Sequence, residues 1–220
     1  MTTRYTASHT SLRTAGIMLV FTVLFTMVMS LTYNATRPAI EASELREKMR
    51  LINDVLRPGS FDNVLLDDYV ELGPTPELGL DKGGRVYRAR NGGQPVALVI
   101  ETVAPNGYGG RIQLIVAVSV DGHVTGVRAI THSETPGLGD YIDPKKDKDK
   151  AKPWITQFTG LSFAEVAADK WKVKRDGGAF HSRVGATISA RAVTDASGKA
   201  LAWAVRHNRD LFAAKNGDRP

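Results

Sequence analysis

Hydrophobic and polar positions divide the chain into a long apolar start, a short amphipathic stretch, a strand-rich middle and a helical end. From Thr14 to Thr36 no residue is charged. About 20 apolar residues cross a bilayer core as a helix, so 14–36 is predicted to be a transmembrane helix. The threonines within it are tolerable because their hydroxyls bond back to the helix backbone, and Tyr33 suits an interface. A cleaved signal peptide is the competing reading, disfavoured by the length of the run and by the lack of a clean small-x-small site after Leu31. Arg4 and Arg13 precede the span, and Arg37, Glu41 and Glu44 follow it. The charge bias is weak and leans to an N-terminus inside, with 1–13 as a cytoplasmic tail.

A second helix is predicted over 37–58, with Thr36 as its cap and Pro38 in its first turn. Leu45, Met49, Ile52 and Leu56 fall on one face, which predicts a linker helix packing on its own domain. Arg57-Pro58-Gly59 ends it. Strand patterns follow at Val86–Arg90, Pro95–Val103, Arg111–Val120 and Val124–Thr131, with turn signals at Asn91-Gly92-Gly93 and Asp121-Gly122. Glycines 107, 109 and 110 either bring backbone close to a ligand or form a flexible loop, and residue type alone favours the loop. Small and apolar residues line one face from Thr187 to about His207, predicting a helix packed closely on the sheet; Gly198 weakens that pattern. The fold class is therefore α+β: one transmembrane helix, then an antiparallel sheet with flanking helices over 59–220.

Composition removes several kinds of chemistry. The 220 residues contain no cysteine, which excludes disulfides, thiolate zinc sites and cysteine-held iron–sulfur clusters. The five histidines are scattered without metal-ligand spacing, so no metal site is expected. The net charge is +6. Its densest contribution is the run Asp143–Lys152, five lysines among three aspartates. This reads as a solvated loop, with an acidic partner or anionic lipid as the other possibility. Interleaved aromatics are missing, so no nucleic-acid partner is expected.

Two stretches carry candidate chemistry. His132-Ser133-Glu134-Thr135-Pro136-Gly137-Leu138-Gly139 follows the last strand. Pro-Gly fixes a tight turn and Gly139 adds a second permissive position; exposed backbone amides and a threonine hydroxyl there suit a planar polar ring. A plain turn with a surface glutamate is the commoner meaning of such residues. Val184-Gly185-Ala186-Thr187-Ile188-Ser189 leads into the last helix. A helix N-terminus favours phosphate, and Gly185 and Ala186 leave the Thr187 hydroxyl clear. Threonine is also a common N-cap.

Taken together, the anchor, Gly107-Tyr108-Gly109-Gly110, the Asp-Gly hairpin, His132 to Gly139, Trp154 to Gly160 and Gly185 to Ser189 resemble the FMN-binding domain of the G subunit of the Rnf electron-transport complex. The match is most specific over 105–206, and Lys174–Gly178 favours that branch over the similar C subunit of the sodium-pumping NADH:quinone reductase. The resemblance implies FMN joined through its phosphate to the hydroxyl of Thr187 by a dedicated flavin transferase. It implies a cofactor site of Thr187, Gly185, Ala186, Ser189, Glu134, Thr135, Pro136, Gly137 and Leu138, with no catalytic acid or base. It also implies membrane lipid and the other membrane and peripheral subunits of the complex as partners. The domain would be periplasmic on a bacterial inner membrane, in a complex coupling electron flow between ferredoxin and NAD to Na⁺ or H⁺ translocation. Two positions depart from the family pattern: His181 stands where the family has Asp, and Val184 where it has Ser or Thr. The alternative is a structural docking subunit without flavin.

Overall fold

The computed structural model describes residues 7–219. It separates into two compact units, the first ending at Glu47 and the second starting at Lys48. The first helix, α1, spans Ala7–Val55 without a break. The helix boundary expected at Thr36 is therefore absent. Thr36 does not cap a new helix; its hydroxyl donates to the Thr32 carbonyl 2.9 Å away, and Pro38 lies inside α1. Proline removes one backbone donor, yet the helix runs on through it into the strong helix formers Ala39, Glu41 and Ala42. Side chains from Ile17 to Leu31 are mostly exposed on the protein. This stretch is long and apolar enough to cross a membrane, which makes it the membrane-spanning candidate. Part of the expected N-terminal tail, including Arg4, lies outside the described residues.

The second unit is built on a five-stranded antiparallel meander in the order β1-β2-β3-β4-β5. The strands are β1 (Tyr69–Leu72), β2 (Gly84–Asn91), β3 (Gln94–Gly107), β4 (Gly110–Ser119) and β5 (Val124–Thr131). Tyr87 pairs with Val99, and Val99 with Ala117. These three side chains share a face with Ala89 and Ile115, covered by Leu51, Ile52, Val55 and Leu56. Alternate residues, among them Leu98, Ile100, Leu114, Val116 and Val118, face the other core. That core is closed by α2 (Thr187–Ala213). Both faces of the sheet are buried, which is why β3 and β4 read as continuous apolar runs rather than alternating ones. Of the face expected in the amphipathic stretch, Ile52 and Leu56 are buried whereas Leu45 is exposed. Gly126 admits this packing, because a Cβ there would meet Val55 Cα at 2.7 Å. Arg128 and Thr125 donate to the Asp54 and Val55 carbonyls and close the end of the helix.

Helix α2 runs six residues past His207. Its end is set by tertiary contacts invisible to helix-stop signals. Arg88, buried in β2, donates to the carbonyls of Leu211 (2.9 Å) and Ala214 (2.6 Å), and Arg90 to that of Phe212 (3.1 Å). Cations at a helix C-terminus also meet the negative end of its dipole. Asp68 neutralises both, 2.6 Å from Arg88 Nε and 2.9 Å from Arg90 Nε. Gly198 is the position where the helix lies against Trp171, whose Cβ would sit 3.1 Å from an added methyl. The pattern-breaking glycine is thus a packing requirement. β1 lacks a readable signal because it is four residues long; its edge is held by Asn216, Gly217 and Asp218 of the C-terminal tail.

Replacing Arg88 by Ala leaves the Leu211 and Ala214 carbonyls without their side-chain donor and leaves Asp68 only Arg90 of its two guanidinium partners. Losing buried hydrogen bonds from a charged donor costs about 3 kcal/mol. The expected result is a Tm several degrees lower, read by circular dichroism of the full chain in detergent, with Arg88→Lys recovering only part because one ammonium cannot span both carbonyls and the carboxylate.

Candidate functional site

Three glycine-bearing turns meet at one buried carboxylate. Glu134 is 4% exposed. One of its oxygens accepts the Gly109 N–H at 3.0 Å, and the other accepts the Ser189 hydroxyl. It therefore joins the β3–β4 hairpin tip, the loop after β5 and the first turn of α2. The surface glutamate expected from residue type is instead the centre of the site. The hairpin is equally far from a flexible loop. Gly107 pairs with Gly110, and a Cβ at 107 would meet Glu134 Oε1 at 2.7 Å, while one at 109 would overlap the Ser133 carbonyl. Gly139 has φ −96°, which any residue adopts. Its permissiveness is spatial: a Cβ would stand 2.8 Å from Ser189 Oγ and 3.0 Å from Glu134 Oε2.

The loop Thr135 to Leu138 is a tight turn. Amides of Leu138 and Gly139 donate to the Thr135 carbonyl, at 3.1 and 2.9 Å, and Gly137, with φ +74°, donates to Asp140. Thr135, Pro136, Gly137 and Leu138 are all exposed. Opposite them, Arg183-Val184-Gly185-Ala186 forms a turn closed by Ala186 N–H to the Arg183 carbonyl at 3.2 Å. Gly185 supplies the φ of +85° at its third position. Leu138 rests on that glycine, 3.2 Å from where a Cβ would be.

Tyr141 clamps this turn. Its hydroxyl donates to the Ala186 carbonyl (3.1 Å) and accepts the Arg183 N–H (3.3 Å). Burial holds that hydroxyl protonated above its ordinary range. Trp154 adds a second clamp, its indole N–H donating to the His181 carbonyl at 2.7 Å, and Gln157 Oε1 accepts the His181 N–H at 2.9 Å. An aromatic chain through Tyr141, Trp154, Phe158, Trp171 and Phe180, with centroids 4.8–6.2 Å apart among its packed pairs, supports the long connection from β5 to α2. Within it Asp147 is wholly buried. It accepts the amides of Trp154 (2.7 Å) and Asp149 (2.9 Å) and pairs with Arg183. The lysine run is therefore not simply solvated, because its central aspartate is an internal anchor. Burial pushes the Asp147 carboxyl up, but the two amides and Arg183 outweigh it and leave it below the usual carboxylate range.

Thr187 is the first residue of α2 and not its cap; Ala186 holds the cap position and makes no side-chain cap bond. Thr187 is half-buried, and its hydroxyl has no protein partner among the described residues. A cleft of about 120 Å³ lies between Tyr108, Thr135, Leu138, Gly139, Gly185, Ala186, Ile188 and Ser189; Thr187 does not line it, although its chain neighbours Ala186 and Ile188 do. Its rim is apolar and open: Tyr108 is 67% exposed, Leu138 46% and Ile188 43%. Of the residues singled out from sequence, Thr135, Leu138, Gly185, Ala186 and Ser189 line the cleft, Glu134 lies behind it, and Pro136 and Gly137 shape the loop. Tyr108 and Ile188 join the site without having been singled out by residue type. The Gly-Tyr-Gly-Gly pattern carried the signal for Tyr108, since a tyrosine between crowded glycines sits on a fixed backbone. Among the described residues no group of His, Cys, Asp and Glu has the geometry of a metal site.

An FMN-binding domain family matches residues 107–202, and a family described as the RnfG N-terminal region matches 1–55. The G subunit of the ion-translocating oxidoreductase complex of Pseudoalteromonas atlantica is 37% identical over 200 residues, 91% of each chain. Its counterpart in Vibrio cholerae is 38% identical over 208 residues, 94% of this chain and 97% of its own. That of Pseudomonas aeruginosa is 38% identical over 202 residues, 92% of each.

Because the folded pKa of Asp147 is depressed, its contribution to stability is complete above the unfolded value, near pH 4. It is lost as pH falls through the lower folded value. Asp147→Asn should unfold more readily at pH 7, by about 2 kcal/mol. It should also show a shallower loss of stability than the parent below about pH 4. Thermal unfolding followed across that range checks both.

Proposed function

The chain belongs to the family of G subunits of ion-translocating oxidoreductase complexes, and on that premise we propose that it is a membrane-anchored flavoprotein subunit carrying electrons through FMN esterified to Thr187. The observation that carries the reading is the Thr187 hydroxyl, unpartnered among the described residues, at the start of a helix and beside a turn held from three sides. The first amides of a helix lack intrahelical acceptors and favour a phosphate. Gly185 and Ala186 keep side-chain bulk away from that oxygen. Attachment forms an O–P bond from the threonine oxygen, while the bond from that phosphorus to its leaving oxygen in the flavin donor breaks and the leaving group departs with the threonine proton, so that the chain gains one FMN less one water. A flavin transferase makes that bond.

The residues present fit such a group. A cleft of about 120 Å³ is small for a flavin ring system, so the planar rings would rest on the rim made by Tyr108, Leu138 and Ile188. Glu134 and Ser189 fix the floor under that rim. FMN supplies the electron transfer when bound, and the protein supplies position and surroundings. Tyr141, Trp154 and Asp147 hold the attachment turn, and no side chain of the site is needed as an acid or base. His181 and Val184 fit this scheme without the side chains usual in the family. His181 is held through its backbone by Trp154 and Gln157, and Val184 points away from the fold. The uncharged stretch of α1 serves as the anchor in membrane lipid, with the N-terminus cytoplasmic and the second unit on the periplasmic side of a bacterial inner membrane. The other subunits of the Rnf-type complex are its electron-transfer partners. The match of 1–55 to an RnfG N-terminal region favours that complex over the sodium-pumping quinone reductase.

Intact mass and peptide mapping of the full chain, co-produced with a flavin transferase, test this. The expected mass gain is FMN less water, on the peptide holding Thr187. Thr187→Ala should abolish it and Thr187→Ser retain part of it. An unmodified parent chain, with the transferase active on another substrate, would leave a docking subunit without flavin.

A further inference from the structure

We infer that the basic face around the attachment turn is the docking surface for a partner subunit that presents carboxylates to it. This inference rests on the reading of Thr187 as the flavin position, since it concerns where the electron partner approaches. Residues 143–183 hold ten Lys and Arg against six Asp and Glu, so most of the net positive charge of the second unit is gathered there. The structure brings two runs of that segment to the same turn. Lys145, Lys146, Lys148, Lys150 and Lys152 flank Asp147, which is tied to Arg183, two residues before Gly185. Lys172, Lys174 and Arg175 lead into His181, and Lys174 Nζ lies 2.9 Å from His181 Nε2.

The carboxylates of this region are already engaged. Asp147 is buried against Arg183 and two amides, Asp149 accepts the Lys152 N–H at 3.0 Å, and Asp143 accepts the Lys145 N–H at 2.9 Å. Asp176 is held at two points by Arg191, at 2.5 and 2.8 Å. Exposed Lys146, Lys148, Lys152, Lys172 and Arg175 have no carboxylate within ion-pair distance among the described residues. These cations stand on a backbone fixed by Asx-type turns and by the buried anchor, so little ordering is needed on association. Electron-transfer encounters are small and transient, and charge complementarity sets their rate and orientation. An acidic protein surface is favoured over anionic lipid because the cations border the attachment turn, where a redox partner must come close.

Zero-length carbodiimide coupling in the purified complex joins lysines to carboxylates that lie within ion-pair reach. The expected result is a set of cross-links from Lys146, Lys148, Lys152 and Lys172 to Asp or Glu of another subunit, weakened as salt rises from about 50 to about 200 mM. Replacing those four lysines by Gln should remove the links and slow flavin reduction in the complex about fivefold at low salt, whereas Lys82→Gln leaves both unchanged. Cross-links confined to the chain itself, or an unchanged rate in the fourfold variant, overturn the inference. A variant that differs from the parent only in its approach to anionic lipid nanodiscs also overturns it, in favour of a membrane-facing role. The mass of the Thr187 peptide from the same sample separates the two readings. Cross-links without flavin preserve the docking face and remove the carrier. Flavin without cross-links does the reverse.

Discussion

Glu134 is the constraint on which the site depends. A buried carboxylate is tolerable only when its oxygens are satisfied, and here the donors come from two different elements, the hairpin tip and the first turn of α2. Meeting that demand forces three backbone segments close together. At such approach distances no Cβ fits at 107, 109 or 139. Thus one ionisable side chain accounts for three glycines that look unrelated along the chain. It also explains why the rim above is rigid although it is made of loops. Each turn is fixed below by the same group, and the large apolar side chains of Tyr108, Leu138 and Ile188 are exposed above it.

Much of this is legible in the sequence, and the misses share a cause. Four of five strands and both long helical regions follow from periodicity and turn chemistry, which are local. The boundary expected at Thr36 is absent because a capping residue followed by proline describes a helix start and a tolerated interior equally well; the hydroxyl bond back to Thr32 decides it. Periodicity ends α2 too early because its stop is made by Arg88 and Arg90 from β2, far away in sequence. Glu134 and Asp147 look like surface acids because their residue type is usually exposed, and only tertiary structure reveals the amides that receive them. The chemistry of the site is recoverable from motif order, whereas its mechanics, Tyr141 and Trp154 on the turn, are not.

The long connection between β5 and α2 has no regular element longer than five residues. Segments of this kind are commonly mobile. This one is held by aromatic packing from Tyr141 to Phe180 and by a network of side chain to backbone bonds. Irregular backbone exposes carbonyls and amides where a helix would hide them. The fold uses these groups twice, inward as acceptors for Tyr141 and Trp154, and outward as the tight loop facing the cleft.

The proposed covalent attachment and the proposed charged docking rim would be complementary answers to one physical problem. A site that passes electrons between proteins must leave its cofactor near the surface, yet a shallow cleft buries too little area to retain a ligand by affinity. A bond to Thr187, as proposed, would remove the need for a deep pocket, and the clamped turn would limit where the attached group could go. An exposed group then invites unproductive encounters with any redox molecule. Fixed charges around that turn would select against these, because like-charged or neutral surfaces gain nothing from approach while an acidic one would be drawn in and oriented. The buried anchor at Asp147 joins the two solutions in one residue: it steadies the attachment turn through Arg183 and fixes the backbone that carries the lysines.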